Sequence, residues 1–185
     1  GKYHPHGDAS IGDAMVQIGQ KELLIDCQGN WGNTLTGDGA AAPRYIETRL
    51  LSLAKETLFN PDTTEFVPSY DGRNMEPVLL PSKIPILLMQ GAEGIAVGMS
   101  TRVFSHNFVE LLEAQIAIME GKEFEILPDF FTGGLMDASQ YNQGQGKIKL
   151  RATLSSPNEK TILIHDIPHS SSTESVIQSI DEAAK

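Results

Sequence analysis

Two histidines and an aspartate lie close together near the start of the chain, in the sequence HPHGD at residues 4–8. Asp8 is typical of a helix N-cap, and the free N–H groups of a helix N-terminus bind phosphate well. Lys2 and the two histidines would add hydrogen-bond donors, so this segment predicts a phosphate site. A capped turn with surface histidines is an equally good interpretation. A metal site is the weakest of the three, because Pro5 stiffens the spacer and no further ligand is evident.

A second group of residues that could do chemistry is AAAPRY at residues 40–45. Small residues let another backbone approach closely, while Pro43 fixes its own φ and favours an extended Ala42. A free tyrosine has a pKa of about 10, so a nucleophilic tyrosine needs a neighbouring cation or base. Arg44 is such a cation. From the residues alone, the favoured interpretation of Tyr45 is a half-buried tyrosine with a solvated arginine beside it.

The elements that must position these residues are predicted from apolar spacing and turn residues. A helix is expected at about 9–20, directly after the histidine segment, followed by a short strand at 23–25. Residues 28–42 are rich in Gly, Asn, Asp and Thr and predict a long loop or wing. Apolar residues from Ile46 to Leu58 predict a second helix, with Tyr45 at its start.

Further along, prolines keep the elements short, and residues 94–98 predict a buried strand. Asn107 is expected to cap a third helix that ends at Gly121. The strict alternation at 147–152, a turn at 155–158 and a strand at 161–164 predict a hairpin.

The pattern of apolar and polar residues changes near residues 122–132, so we expect two domains, 1–127 and 128–185. An apolar helical repeat from Thr173 continues to the last residue without a stop signal, and the first residue is not Met. Both ends of the chain therefore look cut.

Composition sets further bounds on the class of protein. A hydrophobic share of 40% is ordinary for a folded protein, and no apolar segment reaches the roughly 18 residues of a membrane helix. Cys27 is the only cysteine, which excludes an internal disulfide and suits a reducing cytoplasm. The net charge of −10 argues against nucleic-acid binding in general. The first fifty residues, however, carry four cations and six anions, so little of this charge lies there.

Four segments resemble, in the same order, the A subunits of bacterial gyrase and topoisomerase IV. They are GKYHPHGD, GNWGNTLTGDGAAAPRYIETRL, LPSKIPILLMQGAEGIAVGMST and the pair His106-Asn107. The resemblance is strongest over residues 1–108. The sequence DASIGDAMVQIGQKELLIDCQGNWGN, together with PRYIE, looks closer to topoisomerase IV than to gyrase. It implies an α+β fold, with the C-terminal part of a winged-helix DNA-cleavage domain at 1–127 and the start of a tower domain at 128–185.

The resemblance implies a dimeric bacterial enzyme that cuts both strands of one DNA duplex, passes another duplex through and reseals the break. Tyr45 matches the active-site tyrosine, which becomes joined to the DNA 5′ end, and Arg44 matches the neighbouring arginine. Lys2, His4 and His6 match a loop that contacts the cleaved strand, with His6 expected in the catalytic group.

The helix at 9–20 matches the recognition helix of the family, which lies along the major groove. Ser10 and Asp13 on this helix are therefore expected to contact DNA. Val103 matches an apolar wedge that enters the base stack and bends the duplex.

Some positions depart from the family pattern. A serine associated with quinolone binding is Ala9 here, so the quinolone response does not follow for this chain. The wedge pair, commonly isoleucine and proline, is Val103-Phe104. An upstream arginine of the tyrosine site precedes Gly1. The metal-binding and ATPase domains belong to the partner B subunit, so Mg²⁺ and ATP are expected there, and no cofactor is expected in this chain.

Two other functions stay open at this point. The chain is also compatible with a DNA-binding module that catalyses nothing alone. A metal phosphoesterase would use His4, His6 and Asp8 and would need a bound metal. As a bacterial DNA enzyme, the protein is expected in the cytoplasm with the nucleoid.

Overall fold

The computed structural model describes residues 2–185, which form two compact units. The first unit comprises the residues up to Thr34 together with Asp38–Ile84, and the second comprises Leu35–Gly37 and Pro85–Lys185. Both units combine helices with small antiparallel two-stranded sheets, which confirms the expected α+β class. The predicted domain boundary at 127/128 lies within the second unit and remains a prediction.

The first unit carries both groups of residues singled out above, and its sheets pair β1 with β2 and β3 with β4. In chain order its elements are α1 (Ala9–Gly19), β1 (Ile25–Gln28), a 3-10 turn (Pro43–Tyr45), β2 (Glu47–Leu50), α2 (Ser52–Leu58), a second 3-10 turn (Pro61–Thr63), β3 (Phe66–Pro68) and β4 (Met75–Pro77). The predicted helix at 9–20 is confirmed. The predicted strand at 23–25 is displaced, because positive φ at Glu22 accompanies a turn that delays the strand until Ile25.

The prediction of one helix from Ile46 to Leu58 is wrong in its first half. Residues 47–50 form β2, whose ladder with β1 runs from Gln28↔Glu47 to Ile25↔Leu50. Arg49 Nε also donates to Asp26 Oδ2 at 2.7 Å, across the same pair of strands. Such pairing joins residues that are far apart in the chain, so apolar spacing within 46–58 does not reveal it. The helix itself begins at Ser52.

The buried hydrophobic residues of the first unit come from the loop that connects β1 to the 3-10 turn and from the elements that follow it. Trp31 and Ile46 are buried, and Ala54 of α2 is fully buried. The Trp31 indole N–H donates to Gln28 O at 3.0 Å, and the Gln20 amide donates to Trp31 O at 2.9 Å. The loop is therefore held in place by its own backbone and by the end of α1.

The second unit contains three antiparallel hairpins and three helices among the described residues. Its elements are α3 (Ile86–Gln90), β5 (Ala92–Ala96), β6 (Met99–Val103), α4 (Phe108–Met119), β7 (Leu135–Gln140), a 3-10 turn (Asn142–Gly144), β8 (Lys147–Arg151), β9 (Leu154–Asn158), β10 (Thr161–Ile164) and α5 (Thr173–Ala183). No helix in the described part of the chain is both long enough and apolar enough to cross a membrane.

Two strand predictions in the second unit need correction. The strand expected at 94–98 exists as β5, but it is exposed rather than buried, with Ile95 85% accessible. Residues 155–158 are not a turn. They belong to β9, which pairs with β10, while β8 pairs with the preceding β7. The physical reason is that polar serines and Asn158 suit an exposed strand as well as a turn, and only the pairing decides.

Helix boundaries in the second unit follow local signals. Asn107 Oδ1 accepts hydrogen bonds from the N–H groups of Val109 and Glu110 at 2.9 and 3.4 Å, so the predicted cap of α4 is confirmed. The predicted C-terminal helix is also confirmed, beginning at Thr173 behind a capping box formed by Ser172 and Ser175.

Candidate active site and nucleic-acid interface

Tyr45 ends a single turn of 3-10 helix that begins at Pro43. Ala42 before the proline is extended, with φ −58° and ψ 146°, as the steric effect of a following proline requires. The turn closes through a hydrogen bond of 2.9 Å from Tyr45 N to Ala42 O. Because Ile46 is buried and Tyr45 is 66% exposed, the backbone is anchored directly behind an aromatic side chain that faces solvent.

The Arg44 guanidinium lies over the Tyr45 ring, with its central carbon 4.6 Å from the ring centroid. This is the distance of a cation–π contact. The structure therefore brings the two predicted residues together and places a permanent positive charge beside the phenol. An anion that approached Tyr45, such as a DNA phosphate, would meet this charge.

Two glycines set the position of this turn, and sequence reasoning missed both. A Cβ on Gly12 in α1 would lie 2.7 Å from Pro43 Cγ, so the proline ring occupies the space that any other residue would need. Gly29 has φ +100°, and a Cβ there would lie 2.9 Å from Tyr45 O. A glycine inside a predicted helix costs about 1 kcal/mol relative to alanine and often has a packing reason. Gly12 lies inside the helix predicted at 9–20, so its presence there could have indicated close packing.

The histidine segment is tied to the first turn of α1. His4 Nε2 lies 3.0 Å from Ser10 Oγ, and the Ser10 hydroxyl donates to Gly7 O at 3.3 Å. The Ser10 hydroxyl thus lies within hydrogen-bond distance of both the His4 ring and the Gly7 carbonyl. The His4 and His6 rings meet edge to face at 5.2 Å between centroids. His4, His6 and Ser10 thus lie together at the helix start. Lys2 is also exposed, and its carbonyl oxygen accepts from Asp71 N at 3.4 Å.

Asp8 stands at the N-cap position of α1, but it does not cap the helix with its side chain. Its backbone is helical, with φ −76° and ψ −18°, and no side-chain hydrogen bond to the first turn is present. An N-cap residue normally has an extended backbone, which brings its side chain over the free N–H groups. The predicted cap is therefore wrong in its chemistry, although the helix starts where expected.

Helix α1 has a packed side and a polar side. Gly12 and Gly19 are buried, two turns apart, whereas Ser10, Asp13 and Gln17 are all exposed. At about 100° per residue, the three polar residues share one face that lies opposite the two glycines. The helix thus presents two of the predicted DNA contacts, Ser10 and Asp13, away from the body of the first unit.

The predicted wedge residue, Val103, lies in the second unit. It is the last residue of β6, pairs with Ala92 of β5 and is half-buried. Phe104, the alternative wedge, packs edge to face against the buried Phe130, with 5.6 Å between ring centroids. The contact with Phe130 occupies the Phe104 ring, whereas Val103 stands at the edge of the hairpin.

Within residues 2–185, no group of three or more His, Cys, Asp and Glu side chains lies close enough to hold a metal ion.

Comparison with known proteins identifies the family of this chain. The family model for the A subunit of DNA gyrase/topoisomerase IV matches residues 1–185. The A subunit of DNA topoisomerase 4 from Borreliella burgdorferi is 50% identical, over 100% of this chain and 29% of that protein. The DNA gyrase A subunit of Campylobacter fetus is 40% identical over 91% and 22%. That of Escherichia coli is 35% identical over 100% and 24%.

The chain therefore belongs to the family of DNA gyrase and topoisomerase IV A subunits, which confirms the resemblance seen in its motifs. It spans between 22% and 29% of the length of these three relatives.

Proposed function

We propose that this chain is the DNA-cleaving segment of the A subunit of a bacterial type IIA topoisomerase, with Tyr45 as the nucleophile. The observation that carries the proposal is the Pro43–Tyr45 turn, which holds an exposed tyrosine under the Arg44 guanidinium. Family membership supports the assignment, because the relatives are topoisomerase and gyrase A subunits.

The proposed reaction is a transesterification. The Tyr45 phenolate oxygen forms a bond to a backbone phosphorus, and the bond from that phosphorus to the 3′ oxygen breaks. The 3′ oxygen leaves as a hydroxyl after taking up the proton that the phenol has given up. One phosphodiester is exchanged for another, so the 3′ hydroxyl can attack in reverse and reseal the strand. Arg44 stabilises the charge that develops on the phosphate, and His6 belongs to the same catalytic group.

DNA would be held by the exposed side of the first unit. We assign α1 to the major groove, with Ser10 and Asp13 facing the duplex, and Lys2 and His4 to the backbone of the cleaved strand. The hydrogen bond between His4 and Ser10 supports this assignment, because it joins the two DNA-contacting parts into one surface. Val103 is assigned to the base stack as the wedge that bends the duplex.

The remaining assignments concern domains and partners. We assign residues 1–127 to a winged-helix cleavage domain and 128–185 to the start of a tower domain. The complete A subunit would form a homodimer in the bacterial cytoplasm and work with a B subunit. Mg²⁺ and ATP are assigned to the B subunit, because the family resemblance places the metal-binding and ATPase domains there. Mg²⁺ bound there would supply further positive charge at the cleaved phosphate.

The test is Tyr45→Phe in the complete A subunit, mixed with its B subunit, Mg²⁺, ATP and DNA. We expect the protein-linked 5′ end to disappear while DNA binding stays nearly unchanged, because the variant loses one hydroxyl and little surface. Tyr70→Phe is the matched control, since Tyr70 is 69% exposed in the same unit. Its cleavage should equal that of the wild type.

Other outcomes separate the alternatives. Cleavage that survives in Tyr45→Phe would remove Tyr45 from the mechanism. Binding without any protein-linked end, even in the wild type, would instead make the protein a DNA-binding module.

A further inference from the structure

Four consecutive residues directly after Val103 are held by one short segment, Pro128–Phe130, which we name the clamp segment. The contacts run in order: Phe104 packs on Phe130, Ser105 exchanges two hydrogen bonds with Asp129, His106 bridges to Pro128, and Asn107 donates to Asp129. No motif in the sequence assigned a function to the clamp segment.

The hydrogen bonds of Asp129 are short and of three kinds. Its backbone N–H donates to Ser105 O at 2.8 Å, and the Ser105 hydroxyl donates to Asp129 O at 2.7 Å. Its carboxylate accepts from Asn107 Nδ2 at 3.1 Å, while Asn107 Oδ1 caps α4. Asp129 therefore connects the residues after Val103 to the start of a helix of twelve residues.

The same loop is supported from two further sides. Phe130 stacks on His169 with 4.5 Å between centroids, so the Phe104 ring rests on a packed aromatic group. On the other side, Gly91 has φ +68°, and a Cβ there would lie 2.7 Å from Val103 O. The carbonyl oxygen of Val103 thus occupies the space that a side chain at position 91 would need.

We propose that the clamp segment positions Val103 for insertion into DNA, with the Asp129 carboxylate as a positioning residue that acts through Asn107. This inference rests on the function proposed above. It also distinguishes the two apolar candidates, because Phe104 is part of the support and Val103 is the residue that inserts.

The physical reason lies in the energy balance of bending. Unstacking a base step costs free energy. A wedge residue on a flexible loop would be displaced by the DNA instead of separating the two base pairs. A loop that is already held in the inserting geometry loses less conformational entropy on binding. The hydrogen bonds and aromatic contacts of residues 104–107 provide such a loop.

The experiment compares Asp129→Ala with Asp129→Asn in the complete A subunit together with its B subunit, Mg²⁺ and duplex DNA. Asp129 is exposed, so both variants should fold, and a melting curve checks this. Both remove the same charge, but asparagine keeps an oxygen that can accept from Asn107. Fluorescence energy transfer between the duplex ends reports the bend.

For Asp129→Ala we expect the bending equilibrium constant to fall roughly fivefold to tenfold, as for the loss of one ordinary hydrogen bond, and cleavage to fall with it. Asp129→Asn should recover most of the bend. A duplex with a mismatch at the inserted step, which is cheaper to unstack, should restore bending in Asp129→Ala. A merely structural role would not respond to the choice of duplex.

Ser105→Ala is a second variant that loses the hydroxyl donated to Asp129 O, and it should reduce bending in the same direction. Equal defects in Asp129→Ala and Asp129→Asn would show that charge matters rather than positioning, and would overturn the proposal. Wild-type bending in both Asp129→Ala and Ser105→Ala would also overturn it.

Val103→Asp separates this proposal from the function on which it rests. It should abolish bending, since a charge cannot enter the base stack. If Val103→Asp bends DNA normally, the wedge assignment itself fails. If Val103→Asp fails to bend while the Asp129 variants bend normally, the wedge stands and only the clamp is wrong.

Discussion

The two units hold the residues that we propose to act on DNA in different ways. In the first unit, the position of the Tyr45 turn depends on two glycines. Because glycine has no side chain, Pro43 can approach Gly12 and the Tyr45 backbone can approach Gly29. In the second unit, the loop after Val103 is set by added contacts, namely the hydrogen bonds of Asp129 and the ring of Phe130.

The two regions should therefore tolerate different mutations. A turn held by close approach is disturbed when a side chain is enlarged, and it is insensitive to the loss of neighbouring polar groups. A loop held by partners is disturbed when a partner is removed. Mutations in the two units should therefore have distinct effects.

The largest effect is expected for Phe130→Ala, because Phe130 is 8% exposed and contacts both Phe104 and His169. Removing a buried phenyl ring costs about 3 to 5 kcal/mol. Urea unfolding of the chain should therefore show a midpoint that shifts strongly downward. The adjacent Phe131 is 77% exposed, and Phe131→Ala is the matched control, with an expected change of less than about 0.5 kcal/mol. Similar losses in both variants would refute the role of Phe130 as an anchor.

An intermediate effect is expected for Gly12→Ala, and it should appear in activity more than in stability. Alanine gains about 1 kcal/mol of helix propensity, which partly offsets an overpacking cost of about 1 to 3 kcal/mol. The new methyl group must push Pro43, and the Tyr45 turn moves with it. Since a misplacement of about 1 Å can reduce a rate roughly 100-fold, we expect DNA cleavage by the complete enzyme to fall at least about tenfold.

The control for Gly12 is Gly39→Ala, because a Cβ at Gly39 meets no atom within 4 Å. Its cleavage activity should match that of the wild type. Full activity in Gly12→Ala would mean that the turn does not depend on close approach to α1, and the contrast between the two units would be lost.

The smallest effect concerns pH. Burial, with a smaller contribution from Arg102, lowers the pKa of His169 below its ordinary value. The unfolded chain therefore takes up a proton near pH 6.5, before the folded chain does, and stability falls as pH drops through this range. His169 is only partly buried, so solvent screening keeps the loss below about 1 kcal/mol.

The pH effect is measured by urea unfolding between about pH 7.5 and 5, a range that brackets the ordinary histidine pKa. His169→Phe keeps a ring against Phe130 but cannot titrate, so the loss of stability over this range should be smaller in the variant. An identical pH profile in both proteins would show that His169 does not contribute.

Several features could be predicted from the sequence because their causes are local. Helix α1, the Asn107 cap of α4 and the start of α5 at Thr173 depend on residues within one or two turns. The contact between Arg44 and Tyr45 is also local, since the two are adjacent. The family motifs indicated the same segments, and the comparisons confirmed that family.

Features that depend on residues far apart in the chain were decided only by tertiary structure. Residues 47–50 became a strand because β1 offered a pairing edge, although their apolar spacing favoured a helix. Gly12 meets Pro43, and Phe104 meets Phe130, across long stretches of intervening chain. Local propensity is worth only tenths of a kcal/mol per residue, whereas strand pairing and ring burial contribute more. The sequence by itself thus determined which residues could do chemistry, and only packing decided what holds them in position.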